Sequence, residues 1–143
     1  MAGLLMAVYA VALVGASATA PARSLANGEW KCFDDWCVTI TSVVRTGNTV
    51  QIVLTVQNQG HREQAPDTPR AWLLHNTRRD EVVVPGLASR LPGGSSRHLP
   101  PIRLTAPTAE LPRFLVTEGG FPSVLVIGDD NSPFHPQPSW ALI

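Results

Sequence analysis

The two cysteines are the residues whose spacing most clearly predicts chemistry. Cys32 and Cys37 are separated by four residues, of which the middle two are Asp34 and Asp35. If the aspartates form a two-residue turn, the cysteines face each other in a hairpin with Cα atoms about 4.5 Å apart, a short but allowed disulfide distance. Redox or metal-binding thiols are the alternative, but this spacing is not the Cys-x-x-Cys of reactive pairs. We predict a structural disulfide.

A second candidate site lies in the acidic segment 128–135. Asp129, Asp130 and Asn131 offer oxygen ligands to a hard cation, and His135 could add a nitrogen ligand for a softer one. The spacing is not that of an EF-hand loop, and the same residue types are common in a tight turn after a strand. A metal site here is the alternative to a plain turn, and we expect no cofactor elsewhere.

No catalytic constellation can be assembled from the remaining polar residues. The other histidines, at positions 61, 75 and 98, lack a second ligand or acid at useful spacing. Ser95 and Ser96 lie in a glycine-rich turn without the strand-to-helix context of a nucleophile elbow. We therefore expect a protein that is not an enzyme.

The four tryptophans divide by position in the chain. Trp36 and Trp72 lie in strand-like segments and are expected in the core. Trp30 and Trp140, near the two ends of the mature region, either pack on each other's strands or form an exposed aromatic patch. Because exposed aromatic residues are enriched in binding sites, they are the candidate binding residues.

The N-terminal segment is typical of an export signal. Residues 1–20 contain no charged side chain, and Ala-x-Ala patterns at 16–18 and 18–20 suit a signal peptidase. A basic residue near the start is missing, and a helix over residues 3–18 is short for a membrane span. A cleaved signal peptide, a retained membrane anchor and a buried core helix are the three readings, and we expect the first.

The rest of the sequence predicts an antiparallel β-sandwich. Alternating apolar residues predict a hairpin over residues 36–57, with Trp36, Val38, Ile40 and Val44 on one face of its first strand. Its second strand places four apolar residues inward: Val50, Ile52, Leu54 and Val56. Further strands are expected at 70–75, 81–84, 97–104, 113–117, 124–127 and 139–143.

The composition and charge of the chain argue against a nucleic-acid-binding protein. The chain has 143 residues, 44% of them apolar and 15% charged, with zero formal net charge. Beyond the pair Arg78-Arg79 no basic cluster exists, so a nucleic-acid footprint is missing. We expect a signal peptide or anchor over 1–22, a linker over 23–28 and one sandwich domain over 29–143.

Three features of the sequence form one pattern: the Cys32–Cys37 hairpin, the alternating strand that ends at Asn58, and the turn near Asp129-Asp130. This pattern resembles the immunoglobulin-like (telokin-like) extracytoplasmic domains of bacteria. The resemblance covers residues 29–143. It implies an immunoglobulin-like sandwich, secreted or attached to the membrane. Members of this uncharacterised family commonly carry a lipidated cysteine, which this chain lacks.

Together these observations predict a non-catalytic binding or accessory module of the cell envelope. Its expected partner is an envelope protein or a glycan. We expect a secreted or periplasmic location, with membrane contact only through residues 3–18 if the segment is not cleaved. The alternative function is a small secreted metal-binding protein that uses the 128–135 loop.

Overall fold

The computed structural model describes residues 2–19, 23–75, 78–107, 111–119 and 137–142. In these residues the chain forms one N-terminal helix followed by ten strands. The elements are α1 (Ala2–Thr19), β1 (Ser24–Leu25), β2 (Lys31–Phe33), β3 (Trp36–Thr46), β4 (Thr49–Asn58), β5 (Pro69–His75), β6 (Arg78–Val82), β7 (Ser96–His98), β8 (Ile102–Thr105), β9 (Arg113–Glu118) and β10 (Ser139–Ala141).

The strands form two sheets, so the predicted sandwich-like, mostly β architecture is confirmed. Sheet A has the order β1-β10-β9-β5-β6, and sheet B has the order β2-β3-β4-β7 with β8 also paired to β4. All pairs are antiparallel except β1 with β10. The two-residue strand β1 falls in the segment that was expected to be a linker.

The long hairpin β3–β4 organises sheet B and is confirmed with one change of facing. The register shifts between Ile40 and Ser42, which marks a β-bulge. After the bulge the strand's alternation is inverted, so Val43 packs against the core and Val44 is 53% exposed. The prediction that Val44 lies on the face of Ile40 was therefore wrong, because a strict period of two does not anticipate an inserted residue.

The segment expected as one strand over 97–104 forms two short strands. β7 and β8 pair with different parts of β4 and are separated by Leu99, Pro100 and Pro101. Proline has no backbone N–H to donate to a ladder, so two consecutive prolines interrupt the strand. Strand β6 also begins earlier than expected, and the strand predicted at 124–127 lies outside the described residues.

The hydrophobic core lies between the sheets and is built from their inward faces. All four inward residues predicted for β4 are buried. Sheet A contributes Phe114 and Val116 from β9 and Trp140 from β10, each fully buried. The buried apolar cluster also includes Leu25, Phe33, Trp36, Val38, Ile40, Ala71, Leu73, Val84, Leu87, Leu91, Leu99, Ile102, Leu104, Ala106 and Leu142.

The predicted disulfide is present. Cys32 and Cys37 face each other across the β2–β3 hairpin with an S–S distance of 2.05 Å and a Cα–Cα distance of 4.0 Å. Asp34, in the turn, has a positive φ of 56°, a conformation that aspartate tolerates better than most residues. The bridge attaches the three-residue edge strand β2 to the long strand β3.

Strand β2 also carries the only lysine of the chain, Lys31, whose side chain is 4% exposed. Its Nζ donates to the carbonyl oxygens of Val116 at 2.7 Å and Pro138 at 3.2 Å, and to Oε1 of Gln137 at 3.3 Å. The ammonium also lies 5.2 Å from the centre of the Phe33 ring. Lys31 therefore connects β2 of sheet B to β9 and to the residues before β10 in sheet A.

Helix α1 precedes the first strand. Its leucine, valine, methionine and tyrosine side chains are largely exposed. No helix in the described ranges combines the length and the apolarity needed to cross a membrane.

We predict that Cys32→Ser lowers the free energy of unfolding by about 2 kcal/mol, because the bridge closes a short loop in the unfolded chain. The fold should be kept, since Cys32 is exposed. Urea unfolding monitored by tryptophan fluorescence measures the change. The parent protein in reducing agent should match the variant, and two free thiols in the oxidised parent would contradict the prediction.

We predict that Lys31→Met lowers the free energy of unfolding by about 1–3 kcal/mol, because buried carbonyl oxygens lose a charged donor. Arg45→Met is the matched control, since Arg45 also donates to two carbonyl oxygens, those of Ala106 and Pro107, but at a partly exposed position. Urea unfolding of both variants should show the larger loss for Lys31. An equal loss would mean that the cross-sheet contacts add nothing specific.

Candidate functional site

The outward face of sheet A carries a tryptophan that was expected in the core. In β5, Ala71, Leu73 and His75 are buried, whereas Trp72 and Leu74 lie in the opposite phase and are half-buried. The assignment of Trp72 to the core was therefore wrong. A tryptophan and a leucine two residues apart share one face of a strand, but that spacing does not say which face is covered.

Two guanidinium groups stack on the indole of Trp72. The central carbon of Arg70 lies 4.7 Å from the ring centroid, and that of Arg79 lies 4.2 Å from it. Arg70 precedes Trp72 by two residues in β5, and Arg79 is paired with Leu74, two residues beyond it. The register thus places the two cations on opposite sides of Trp72 along the strand. Each contact is attractive because the ring face is electron-rich.

The indole is also held through its edge. Trp72 Nε1 donates to Thr117 Oγ1 at 3.2 Å, which ties the ring to the neighbouring strand β9. The ring therefore has a defined orientation, and so have the guanidinium planes that stack on it.

The two arginines differ in their other contacts. Arg70 makes a bidentate pair with Glu81, with Nε to Oε1 at 3.0 Å and Nη2 to Oε2 at 2.9 Å. These hydrogen bonds lower the pKa of Glu81 and raise the pKa of Arg70. Arg79 is exposed and, within the described ranges, makes no hydrogen bond or ion pair. Its N–H donors are therefore available to a ligand.

A third arginine extends this face. Arg113 is paired with Leu74 in the sheet, so it lies in the same row as Arg79, two strands away, or about 10 Å. Its Nε and Nη2 donate to Oγ and the carbonyl oxygen of Ser139 at 2.7 and 2.8 Å. We call Arg70, Trp72, Arg79, Glu81 and Arg113 together the arginine–tryptophan surface.

The candidate binding residues predicted from the sequence do not form this surface. Trp140 is fully buried and donates from Nε1 to the carbonyl oxygen of Glu29 at 3.3 Å, so it packs inside the sandwich. Trp30, which follows Glu29 in the chain, is 39% exposed. The two tryptophans are neighbours in space but do not share an exposed patch, and a binding role for Trp30 stays a prediction.

The predicted metal loop, with Asp129, Asp130, Asn131 and His135, lies outside the described residues. Within the described ranges, no three His, Cys, Asp or Glu side chains are grouped so that they could hold a metal ion. Of the other histidines, His98 Nδ1 lies 2.6 Å from Thr55 Oγ1, and His75 Nε2 lies 3.5 Å from Asp80 Oδ2.

The carboxyl group of Glu118, the last residue of the inner strand β9 of sheet A, has a raised pKa. Burial raises the pKa of Glu118, as do the negative charges of Asp67 and Asp34, while a hydrogen bond from the backbone N–H of Asp67, 2.8 Å from Oε1, opposes the shift. Its Oε2 atom is buried and has no hydrogen-bond partner in the described ranges of the chain. The raised pKa is therefore a consequence of local packing, and it does not point to a ligand.

Comparison of the chain with protein-family models, with curated proteins and with solved structures finds no match.

The arginine–tryptophan surface was missed in the sequence because its members lie on three strands, β5, β6 and β9, whose pairing is not visible in the sequence. The available signal was the pattern Arg-x-Trp in a strand, followed after a short connection by the basic pair Arg78-Arg79. Interpreting it requires the β5–β6 register, which brings Arg79 diagonally across to Trp72.

We predict that the stability of the protein falls, relative to Glu118→Gln, as pH rises from about 4 to about 7. The folded pKa of Glu118 is raised above its usual value of 4.5, so the folded state binds the proton more strongly. That contribution is full at low pH and is lost as the carboxyl ionises. Urea unfolding across this range measures it, and a pH-independent difference between the two proteins would contradict the assignment.

Proposed function

We propose that this protein is an exported, non-catalytic binding module of the bacterial cell envelope with an immunoglobulin-like fold, and that its arginine–tryptophan surface binds an acidic polysaccharide. The observation that carries the proposal is the exposed guanidinium of Arg79, which lies over Trp72 at 4.2 Å and makes no hydrogen bond to any other described residue. Export is supported by the uncharged N-terminal segment and its Ala-x-Ala patterns.

The strand neighbours support the immunoglobulin-like assignment. In that fold one sheet pairs strands A, B and E, and the other pairs G, F and C, with C′ beside C in variable-type domains. If β3 and β4 are A and B, then β5 and β6 correspond to C and C′, β7 and β8 together to E, and β9 and β10 to F and G. The observed sheet orders then have the same neighbours for these strands, while no strand in the described residues corresponds to D, which lies beside E in the immunoglobulin fold.

Two features depart from the antibody pattern. The disulfide lies within the β2–β3 hairpin and does not join the two sheets. The tryptophan of the strand corresponding to C faces outward, whereas in antibody domains it packs inside on the disulfide. Both differences leave the sheet pairing unchanged, and the second places the indole on the surface that we propose binds the ligand.

The chemistry of the surface suits a polyanion better than an apolar protein partner. Arginine and tryptophan are also enriched in protein interfaces, whose dehydrated centre is otherwise depleted of charged residues. Here the indole faces are already covered by guanidinium groups, so the groups that a ligand would meet are cationic N–H donors. A planar guanidinium binds carboxylate or sulfate groups through two parallel hydrogen bonds, and stacking reduces the freedom lost on binding.

Spacing adds to this argument. Arg79 and Arg113 lie about 10 Å apart in one row of the sheet, so they could contact different units of one chain. The side chains of the Arg70–Glu81 pair are 51% and 47% exposed. An exposed ion pair contributes little to stability, so a ligand anion could replace Glu81 at small cost.

We predict that the full-length protein binds polygalacturonate more tightly than neutral dextran, and that Arg79→Gln weakens this binding about tenfold, because one bidentate charged contact is lost. Affinity should fall as salt is added, since exposed charges are screened. Isothermal titration calorimetry measures both effects.

Arg78→Gln is the matched control, because it removes the same charge from the adjacent residue, whose position on β6 lies in the opposite phase. It should change the affinity by less than about twofold if the contact is specific and not a bulk charge effect. Equal losses in the two variants, or equal binding to dextran, would reject the proposed surface.

A further inference from the structure

A separate recess lies on the outward face of sheet B, at the tip of the β3–β4 hairpin. It has a volume of about 320 Å³ and is lined by Val44, Thr46, Thr49, Gln51 and Arg103. These residues occupy two adjacent rows of the sheet. Val44, Gln51 and Arg103 are paired across three strands, and Thr46 and Thr49 form the next row.

The polar side chains of this recess have no partners among the described residues. In the part of the chain that the structure describes, the hydroxyls of Thr46 and Thr49, the amide of Gln51 and the guanidinium of Arg103 make no hydrogen bond or ion pair with other residues. Four adjacent side chains with free donors and acceptors are therefore directed to one concave space. This arrangement contrasts with Arg45 nearby, which donates to two carbonyl oxygens.

The bulge in β3 gives the recess its apolar surface. Without the register shift between Ile40 and Ser42, Val44 would point into the core, as its sequence pattern predicts. With it, the valine side chain is 53% exposed and lies in the same row as Arg103. Bulges are frequent beside functional sites because they redirect side chains.

The frame around the recess is held in place by contacts across the hairpin tip. The backbone N–H of Ala106, just after β8, donates to the carbonyl oxygen of Asn48 at 2.7 Å. Arg45 Nη2 donates to the carbonyl oxygens of Ala106 and Pro107 at 3.0 and 3.1 Å. The three strands that supply the lining are therefore fixed relative to one another before any ligand arrives.

We propose that this recess binds a single carboxylated sugar unit, of the hexuronic acid class. Arg103 would pair with the carboxylate, because a guanidinium matches its geometry. The two hydroxyls and the amide, which both donate and accept hydrogen bonds, fit the sugar hydroxyls, and Val44 fits the C–H face of the ring. The volume is at the lower end of the range for ligand sites, about 300–1,000 Å³, which suits one unit.

The inference is independent of the arginine–tryptophan surface, which lies on the other sheet. It is tested by nuclear magnetic resonance of the full-length protein titrated with galacturonate, galactose or acetate. We expect galacturonate to shift the backbone amides of the lining residues saturably, with a Kd on the order of 1 mM. Galactose, which lacks the carboxylate, and acetate, which lacks the hydroxyls, should each bind about tenfold more weakly.

Arg103→Gln should weaken galacturonate binding about tenfold, and Thr49→Val, which removes a hydroxyl without changing the charge, about threefold. Arg97→Gln is the matched control, because Arg97 is an equally exposed arginine on the neighbouring strand β7, outside the recess. Its affinity should stay within about twofold of the parent's. Acetate binding as tight as galacturonate, an equal loss in Arg97→Gln, or no saturable shift would overturn the proposal.

Discussion

The burial of one face of β4 is the constraint on which the rest of the domain depends. Four branched apolar residues of this strand point into the sandwich, and the strand pairs with β3 on one side and with β7 and β8 on the other. A shift by one residue would turn all four toward solvent. At the end of the strand Asn58 is fully buried, and its Nδ2 donates to the carbonyl oxygens of Arg62 and Leu91. The same strand thus fixes both the packing of the hydrophobic core and the position at which the long loop after β4 begins.

The features of the fold that follow from local pattern could be predicted, and those that depend on contacts between distant segments could not. The alternation of β4 and the spacing of Cys32 and Cys37 lead directly to the hairpins observed. The break between β7 and β8 also has a local cause, the two consecutive prolines Pro100 and Pro101. Burial of Lys31 could not be foreseen, because its acceptors on Val116 and Pro138 are more than eighty residues away.

The same division applies to the candidate sites. Trp72 was recognised as a strand residue, but its outward facing depends on which side of sheet A the core lies. The contact with Arg79 depends on the β5–β6 register. Val44 was placed on the wrong face because a bulge cannot be seen in a periodic pattern. Trp72 is half-buried and Val44 is exposed, although a simple pattern assigns both to the core, and each lies beside an arginine without an acidic partner among the described residues. The exceptions to the pattern are therefore the positions most informative about binding.

The basic residues of this chain are ten arginines and a single lysine. None of the arginines is buried, whereas Lys31 is enclosed between the sheets. The folded surface consequently presents no side-chain amine. Acetylation, glycation and amine-directed cross-linking would find no lysine target on the folded chain. Because a guanidinium does not deprotonate in proteins, the positive charge of the ten arginines is also constant across any pH that the protein would meet.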